Sequence, residues 1–167
     1  MHATNRAGDF RIAAQGDREI VMTRTFDAPR HLVYAALAKP ELMKRWLGPR
    51  SSPMAECEID LRAGGAYRWV WRLGSGGTMG VSGVYREIVP DERIVATEKF
   101  DEPWYPGQAI VTLALRGQGG KTRLTTTILY ESREGRDGVL KTPMRHGVAE
   151  SYDRLDELLA LTSGASR

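Results

Sequence analysis

The chain has 167 residues and a formal net charge of +3, with 41% hydrophobic and 27% charged residues. This length and composition are typical of one folded domain with a sizeable core, and they exclude a disordered chain. The 24 Lys and Arg are interleaved with 21 Asp and Glu, whereas a nucleic-acid-binding protein usually clusters its basic residues on one stripe. We therefore expect a soluble globular protein that does not bind nucleic acid.

Cys57 is the single cysteine, so no internal disulfide is expected. The N-terminus, MHATNRAGDF, lacks the apolar run of a signal peptide. No segment approaches the roughly 18 consecutive apolar residues that a membrane span needs. Neither paired cysteines nor an HxxxH pattern occurs, so no metal site is expected. These features predict a cytoplasmic protein without membrane insertion, metal or cofactor.

The first elements follow a polar N-terminal segment, residues 1–17, which is predicted to be a flexible lead-in with a short strand near residues 10–13. Residues 18–26 then alternate between apolar and polar side chains and include several β-branched residues, which predicts a strand.

Two short helices are predicted within FDAPRHLVYAALAKPELMKRWLGP, residues 26–49. Asp27 offers a side-chain oxygen as the N-cap of the first helix, and Pro29 fits its first turn. Pro40 ends this helix after about two turns, because proline disfavours helical backbone in the residue before it. The same proline opens a second helix over residues 41–47, which the following Gly-Pro ends.

The middle of the chain is predicted to be an antiparallel meander of about six strands joined by short turns. The predicted strands cover residues 54–61, 67–73, 79–89, 94–100, 110–115 and 122–130. The first has one apolar face, formed by Ala55, Cys57, Ile59 and Leu61. The second carries Tyr67, Trp69 and Trp71 on one face, and Gly80 and Gly83 in the third mark a bulge or a close approach.

A long amphipathic helix closes the chain, with Thr142 as its cap, Pro143 in its first turn and its end near residues 163–164. Its apolar face repeats at three- and four-residue steps through Met144, Val148, Tyr152, Leu155, Leu158 and Leu159. The sequence thus predicts a single α+β domain over residues 18–163, followed by a flexible tail over residues 164–167. In this domain a curved antiparallel sheet carries the long helix across its concave side.

Five motifs occur in a characteristic order: RTFDAPRHLVYAAL, KPELMKRWLGP, DLRAGGAYRW, GVYREIVPDERIV and ESYDRLDELLA. Over about residues 18–161 this order resembles the SRPBCC, or START-like, superfamily. Within it, the chain is most similar to the bacterial AHSA-type proteins, named for the activator of a heat-shock chaperone's ATPase. The resemblance implies a helix-grip fold like that of the birch-pollen allergen, with two short helices after the first strand. It also implies an apolar cavity between the sheet and the C-terminal helix, opening near the two short helices.

Nine side chains are predicted to line that cavity: Trp46, Tyr67, Trp69, Trp71, Met79, Tyr85, Trp104, Met144 and Tyr152. Ligand pockets are mostly apolar with a few polar groups, and Trp and Tyr bring both. The alternative is that these side chains simply fill the core, as inward aromatic residues do in most proteins. Relatives commonly carry two adjacent aromatic residues before the Gly-Pro. Here Trp46 matches and Leu47 does not, so an aromatic wall is expected from Trp46 alone.

The favoured function is non-enzymatic binding of a small apolar or amphipathic molecule in this cavity. Two alternatives stay open: a co-chaperone that activates a heat-shock chaperone's ATPase through protein contact, and a cyclase or hydrolase acting on a polyketide-like substrate. His146 and Glu150 are the acid–base candidates for an enzyme, together with Tyr152. A solvated i, i+4 pair is the commoner explanation, so no catalytic residue is assigned. The exposed sheet edges of such a fold favour a homodimer.

Overall fold

The computed structural model describes the backbone of residues 9–165 and the side chains up to residue 162. Eight strands occur in this part of the chain: β1 (Arg11–Gln15), β2 (Glu19–Phe26), β3 (Met54–Ile59), β4 (Ala66–Arg72), β5 (Thr78–Val89), β6 (Arg93–Phe100), β7 (Ala109–Gln118) and β8 (Lys121–Leu129). They form one antiparallel sheet in the order β1-β2-β8-β7-β6-β5-β4-β3. The predicted meander is therefore confirmed, with β1 and β3 at the two edges. The homodimer predicted to cover an edge stays a prediction.

The helices between and after these strands are α1 (Arg30–Ala38), α2 (Pro40–Trp46), α3 (Arg133–Leu140) and α4 (Met144–Ala165). The long helix α4 contacts α1, α2 and α3. Together with the curved sheet, it forms the predicted helix-grip α+β architecture. No helix in the described residues is both long and apolar enough to cross a membrane.

The N-terminal strand is present as β1, close to its predicted position. It pairs with β2 from Arg11 opposite Thr23 to Gln15 opposite Glu19. Five residues of the predicted lead-in therefore belong to the sheet. Residues 1–8 and 166–167 lie outside the described residues, and with them eight of the 17 residues of the predicted lead-in and two of the four residues of the predicted tail.

The two short helices and the bend between them are confirmed. Lys39 is extended at φ −99° and ψ 124°, and Pro40 opens α2 as predicted. The predicted N-cap of α1 is wrong, because Pro29 rather than Asp27 occupies that position and no side chain caps the helix. Pro29 is extended at φ −70° and ψ 158°, which suits its ring-restricted φ, and the helix begins one residue later.

Helix α3 is absent from the sequence-based prediction. Its sequence, REGRDGVL, contains two glycines and only two large apolar residues at its end, so it shows no helical repeat. The Ser132 side chain accepts a hydrogen bond from the Gly135 N–H (3.0 Å) and caps the helix. A local cap, rather than an apolar face visible in the sequence, marks this element.

The predicted apolar face of β3 is wrong at one position. Cys57 and Ile59 are partly buried as expected, but Ala55 is exposed. The pairing with β4 shifts register between Met54 and Glu56, which turns Met54 toward the core in place of Ala55. Such a bulge reverses the faces of the residues before it.

The predicted close approach at the glycines of β5 is confirmed. A Cβ on Gly83 would lie 1.9 Å from the carbonyl oxygen of Thr97 and 2.7 Å from the Tyr67 hydroxyl. That hydroxyl donates a hydrogen bond to the same Thr97 carbonyl (2.7 Å). Only glycine leaves room for Tyr67 to cross β5 and reach β6. The register shift in this strand lies after Tyr85, and thus not at a glycine.

The core lies between the sheet and α4. At its centre Tyr152 packs against Phe10, Phe26 and Trp46, with ring centroids 5.8, 5.6 and 6.4 Å away. One buried ion pair ties α4 to β2: Arg24 is 1% exposed and lies 2.5 Å from Asp156, which is 6% exposed. The long helix is thus held by aromatic packing and by charge.

Candidate ligand-binding site

A cavity of about 450 Å³ lies between the sheet and the helices, within the range of roughly 300–1,000 Å³ that is usual for small-molecule sites. Strands β4 to β8 form most of one wall, and the ends of α2 and α3 with the first turns of α4 form the other. The lining side chains are predominantly apolar or aromatic.

The structure places all nine predicted side chains around this cavity: Trp46, Tyr67, Trp69, Trp71, Met79, Tyr85, Trp104, Met144 and Tyr152. Trp104 lines it from the β6–β7 loop and is 49% exposed. Contact of these side chains with a ligand stays a prediction.

The indole N–H groups of the cavity wall differ in their partners. Trp46 Nε1 donates to the Ala36 carbonyl (2.9 Å), and Trp71 Nε1 donates to the Leu47 carbonyl (3.0 Å). Gly48 permits the second bond: its φ is +100°, and a Cβ there would lie 2.5 Å from Trp71 Nε1. Trp69 Nε1, in contrast, is buried without a hydrogen-bond partner in the described structure. Two indoles are therefore fixed to the backbone, and one has a donor to spare.

Glu98 is a carboxyl group within the apolar lining. It belongs to the inward face of β6, where alternate residues line the cavity: Ile94, Ala96, Glu98 and Phe100. Its side-chain oxygen Oε1 accepts a hydrogen bond from the Tyr105 hydroxyl (3.0 Å). Burial raises the pKa of this carboxyl, and the Tyr105 hydrogen bond offsets part of that rise.

Three tyrosines lie near this carboxyl: Tyr67, Tyr105 and Tyr130. Burial raises the pKa of each hydroxyl, and the negative charge of Glu98 raises it further. The rings of Tyr105 and Tyr130 meet edge to face, with their centroids 4.9 Å apart. We call Glu98 and these three tyrosines the Glu98 end of the cavity.

Sequence reasoning missed most of the Glu98 end, since it named only Tyr67. The signal for Glu98 is present in IVATEKF, where a carboxyl interrupts an alternating apolar face. Tyr105 lies in a loop and Tyr130 directly after β8, so no periodic pattern marks either residue as inward-facing.

The candidates for acid–base catalysis lie elsewhere. His146 is exposed, and Glu150 accepts a hydrogen bond from the Arg50 backbone N–H (2.9 Å). Neither residue lines the cavity. Tyr152 does, but its hydroxyl is hydrogen-bonded to that of Thr126 (3.1 Å), and burial raises its pKa. The structure therefore does not bring the predicted pair into the cavity.

Metal and thiol chemistry find little support in the same region. Within the described residues, no group of three or more His, Cys, Asp or Glu side chains is arranged to hold a metal ion. Burial raises the pKa of the Cys57 thiol to about 11, so it is protonated at neutral pH. Its sulfur contacts that of Met43 at 3.8 Å, as expected for a small packed side chain.

Replacing Glu98 by glutamine is expected to make the ligand-free protein more stable at neutral pH. A raised native pKa means that the folded protein holds this proton more tightly than the unfolded chain does. Stability therefore falls as the pH rises from the ordinary carboxyl pKa, about 4.3, through the raised value. Denaturant unfolding of both proteins across this range measures the effect, and the advantage of Glu98→Gln should vanish at the acidic end.

The ionisable groups that face Glu98 do not alter this sign. Tyr67, Tyr105 and Tyr130 have raised pKa values and remain neutral throughout the range. Among the described residues, no Lys, Arg or His lines the cavity. Parallel pH profiles for Glu98→Gln and the wild type would contradict the assignment of a partly buried carboxyl with a raised pKa.

The fold and the cavity together define a helix-grip protein, in which a curved antiparallel sheet and a C-terminal helix enclose an apolar space. The chain belongs to the family of Activator of Hsp90 ATPase homolog 1-like proteins, whose family model matches residues 27–160. The predicted membership of the AHSA-type SRPBCC proteins is therefore confirmed.

Solved structures support the same conclusion. A protein from Rhodobacter sphaeroides is 33% identical, and the match covers 92% of this chain and 99% of that chain with a TM-score of 0.87. A protein from Chromobacterium violaceum is 27% identical over 85% and 96% of the two chains, with a TM-score of 0.70. One from Nitrosomonas europaea, at 24% identity over 90% and 99% and a TM-score of 0.80, shares the fold. The curated proteins contain no match.

Proposed function

We propose that this protein binds a small apolar or amphipathic molecule in the cavity between the sheet and α4. The observation that carries the proposal is a predominantly apolar cavity of about 450 Å³ between the sheet and the helices. A packed core leaves few voids larger than a water molecule, because empty space forfeits dispersion contacts. A cavity of this size is therefore better explained as a site than as a packing defect.

The polar groups of the wall also support a ligand. Trp69 Nε1 is a buried donor without a partner, and such a group costs about 1–3 kcal/mol unless something accepts its hydrogen. The indoles of Trp46 and Trp71 are tied to backbone carbonyls, so the wall is formed before a ligand arrives. A preformed wall reduces the entropy lost on binding.

The experiment is a thermal-shift screen against fatty acids, sterols, flavonoids, polyketides and arylalkylamines, with native mass spectrometry of each hit. A ligand at about 100 times its Kd adds about 2.7 kcal/mol, which raises the Tm of a domain of this size by roughly 5–10 °C. The absence of any shift across this panel would argue against the proposal.

Gly147→Leu is the matched variant. Gly147 lines the cavity on α4, and a Cβ added there would meet no atom within 4 Å. Leucine should fill part of the cavity and favour the helix by up to about 1 kcal/mol, so ligand shifts should disappear while stability is kept. Gly138→Leu on α3 is the control, since a Cβ there also meets no atom and Gly138 does not line the cavity. Ligand shifts that persist in Gly147→Leu would place binding elsewhere.

Activation of a chaperone ATPase is a second candidate, motivated by the name of the matching family. The test is the ATPase rate of the bacterial heat-shock chaperone with and without this protein, alongside a pull-down. An unchanged rate at micromolar protein would end this candidate. If activation occurs, its persistence in Gly147→Leu would show that it does not require a ligand in the cavity.

A further inference from the structure

The charge of the cavity wall is one-sided. Glu98 is its single carboxyl group, and no Lys, Arg or His appears among the lining residues of the described chain. A ligand with a carboxylate or phosphate would find no cationic partner here and would face a like charge. Burial of an unpaired charge is costly. The wall thus disfavours anions such as fatty acids.

Two of the three tyrosine hydroxyls at the Glu98 end already donate within the protein. The Tyr67 hydroxyl donates to the Thr97 carbonyl (2.7 Å), and the Tyr105 hydroxyl donates to Glu98 Oε1 (3.0 Å). Both hydroxyl protons are therefore used by the protein, while oxygen lone pairs and the other carboxyl oxygen remain. Glu98, Tyr67 and Tyr105 therefore offer acceptors rather than donors, which suits a ligand group that brings donors.

Aromatic rings surround the same region. The ring of Tyr67 lies 4.5 Å from that of Trp69 and 5.4 Å from that of Tyr85, centroid to centroid. The Tyr105 and Tyr130 rings also lie near Glu98, with their centroids 4.9 Å apart. Electron-rich ring faces attract cations, most strongly in a site shielded from water. A carboxyl among such rings is a combination that suits an ammonium group.

We propose that the ligand is an amine with an apolar body, whose ammonium group binds at the Glu98 end while the body fills the apolar cavity. This inference rests on the proposed function and specifies its ligand class. The ammonium N–H groups donate to Glu98 and to the tyrosine hydroxyl oxygens. The neighbouring rings contribute cation–π attraction, and the carboxylate neutralises the buried positive charge.

Three probes that share one apolar body test the inference: 2-(1-naphthyl)ethylamine, 2-(1-naphthyl)ethanol and 1-naphthylacetate. Their Kd values are measured by calorimetry at neutral pH. Hydrogen bonds to a charged group contribute about 1.5–3 kcal/mol, so the amine should bind at least about tenfold more tightly than the alcohol. The acetate should bind most weakly. An alcohol or acetate that equals or exceeds the amine overturns the inference and leaves the proposed function intact.

The variant Glu98→Gln has nearly the same shape and should reduce the amine-to-alcohol affinity ratio to about one, with the alcohol little changed. Glu92→Gln, at an exposed position before β6, changes the net charge equally and should keep the ratio. An unchanged ratio in Glu98→Gln overturns the inference. If none of the probes binds the wild type at millimolar concentration, the inference also fails, and the Gly147→Leu screen judges the proposed function separately.

Discussion

Replacement of Arg24 by alanine is expected to lower the free energy of unfolding by about 3–5 kcal/mol, because it breaks a buried ion pair by removing one partner. Arg24 is fully covered on β2, and its Nη2 lies 2.5 Å from Asp156 and 3.0 Å from Asp153, both on α4. Asp156 is almost as well covered, whereas Asp153 is half exposed. The larger part of the loss therefore comes from Asp156.

The pair itself need not add net stability. Nε and Nη1 of Arg24 are buried without hydrogen-bond partners in the described structure, so the desolvation of the guanidinium is only partly offset. The double variant Arg24→Met, Asp156→Leu removes both charges and keeps most of the packed volume. We expect it to be at least as stable as the wild type, since apolar replacements of buried pairs are often neutral or stabilising.

Urea unfolding of Arg24→Ala, the double variant and Arg93→Ala decides the matter. Arg93 pairs with Glu87 at 2.6 Å, but both side chains are about half exposed, so its loss should change stability by less than about 1 kcal/mol. Equal losses of unfolding free energy for Arg24→Ala and Arg93→Ala would mean that breaking the buried pair costs no more than breaking the exposed one. A double variant with a lower free energy of unfolding than Arg24→Ala would mean that the pair stabilises the fold directly.

The strands, the two short helices and the long helix could be predicted because each is marked by a local sequence pattern. Alternation identified β2 and β4, and Pro40 fixed the break between α1 and α2. Helix α3 and the bulge in β3 escaped because their causes are not periodic. The first depends on the Ser132 side chain and the second on the register with β4.

The candidate site was predictable in its apolar part and not in its polar part. The aromatic face of β4 is inward in any sheet that is covered on one side, so Tyr67, Trp69 and Trp71 could be named from alternation alone. Glu98 occupies an inward position of β6, yet a carboxyl in a strand is ordinarily assigned to the solvent face. The partner that explains it, Tyr105, lies in a loop. The direction of a loop side chain cannot be predicted from a periodic sequence pattern.

Replacement of Tyr152 by alanine is expected to cost about 3–5 kcal/mol, the range found for large aromatic side chains in cores. Its ring meets Phe10 and Phe26 edge to face and lies beside Trp46. These contacts join α4 to β2, to α2 and to the chain before β1. Truncation would remove these contacts and enlarge the cavity that Tyr152 already lines, at the point where these elements converge.

Tyr152→Phe separates the ring from its hydroxyl. It removes only the hydrogen bond with the buried Thr126 hydroxyl, so a loss of about 1 kcal/mol is expected. Leu161→Ala is the control on the same helix, because Leu161 is exposed and its truncation should change stability by less than about 0.5 kcal/mol. Guanidinium unfolding of the three variants measures the differences. If Tyr152→Phe lost as much unfolding free energy as Tyr152→Ala, the hydrogen bond with Thr126, rather than aromatic packing, would be what holds α4 against the sheet.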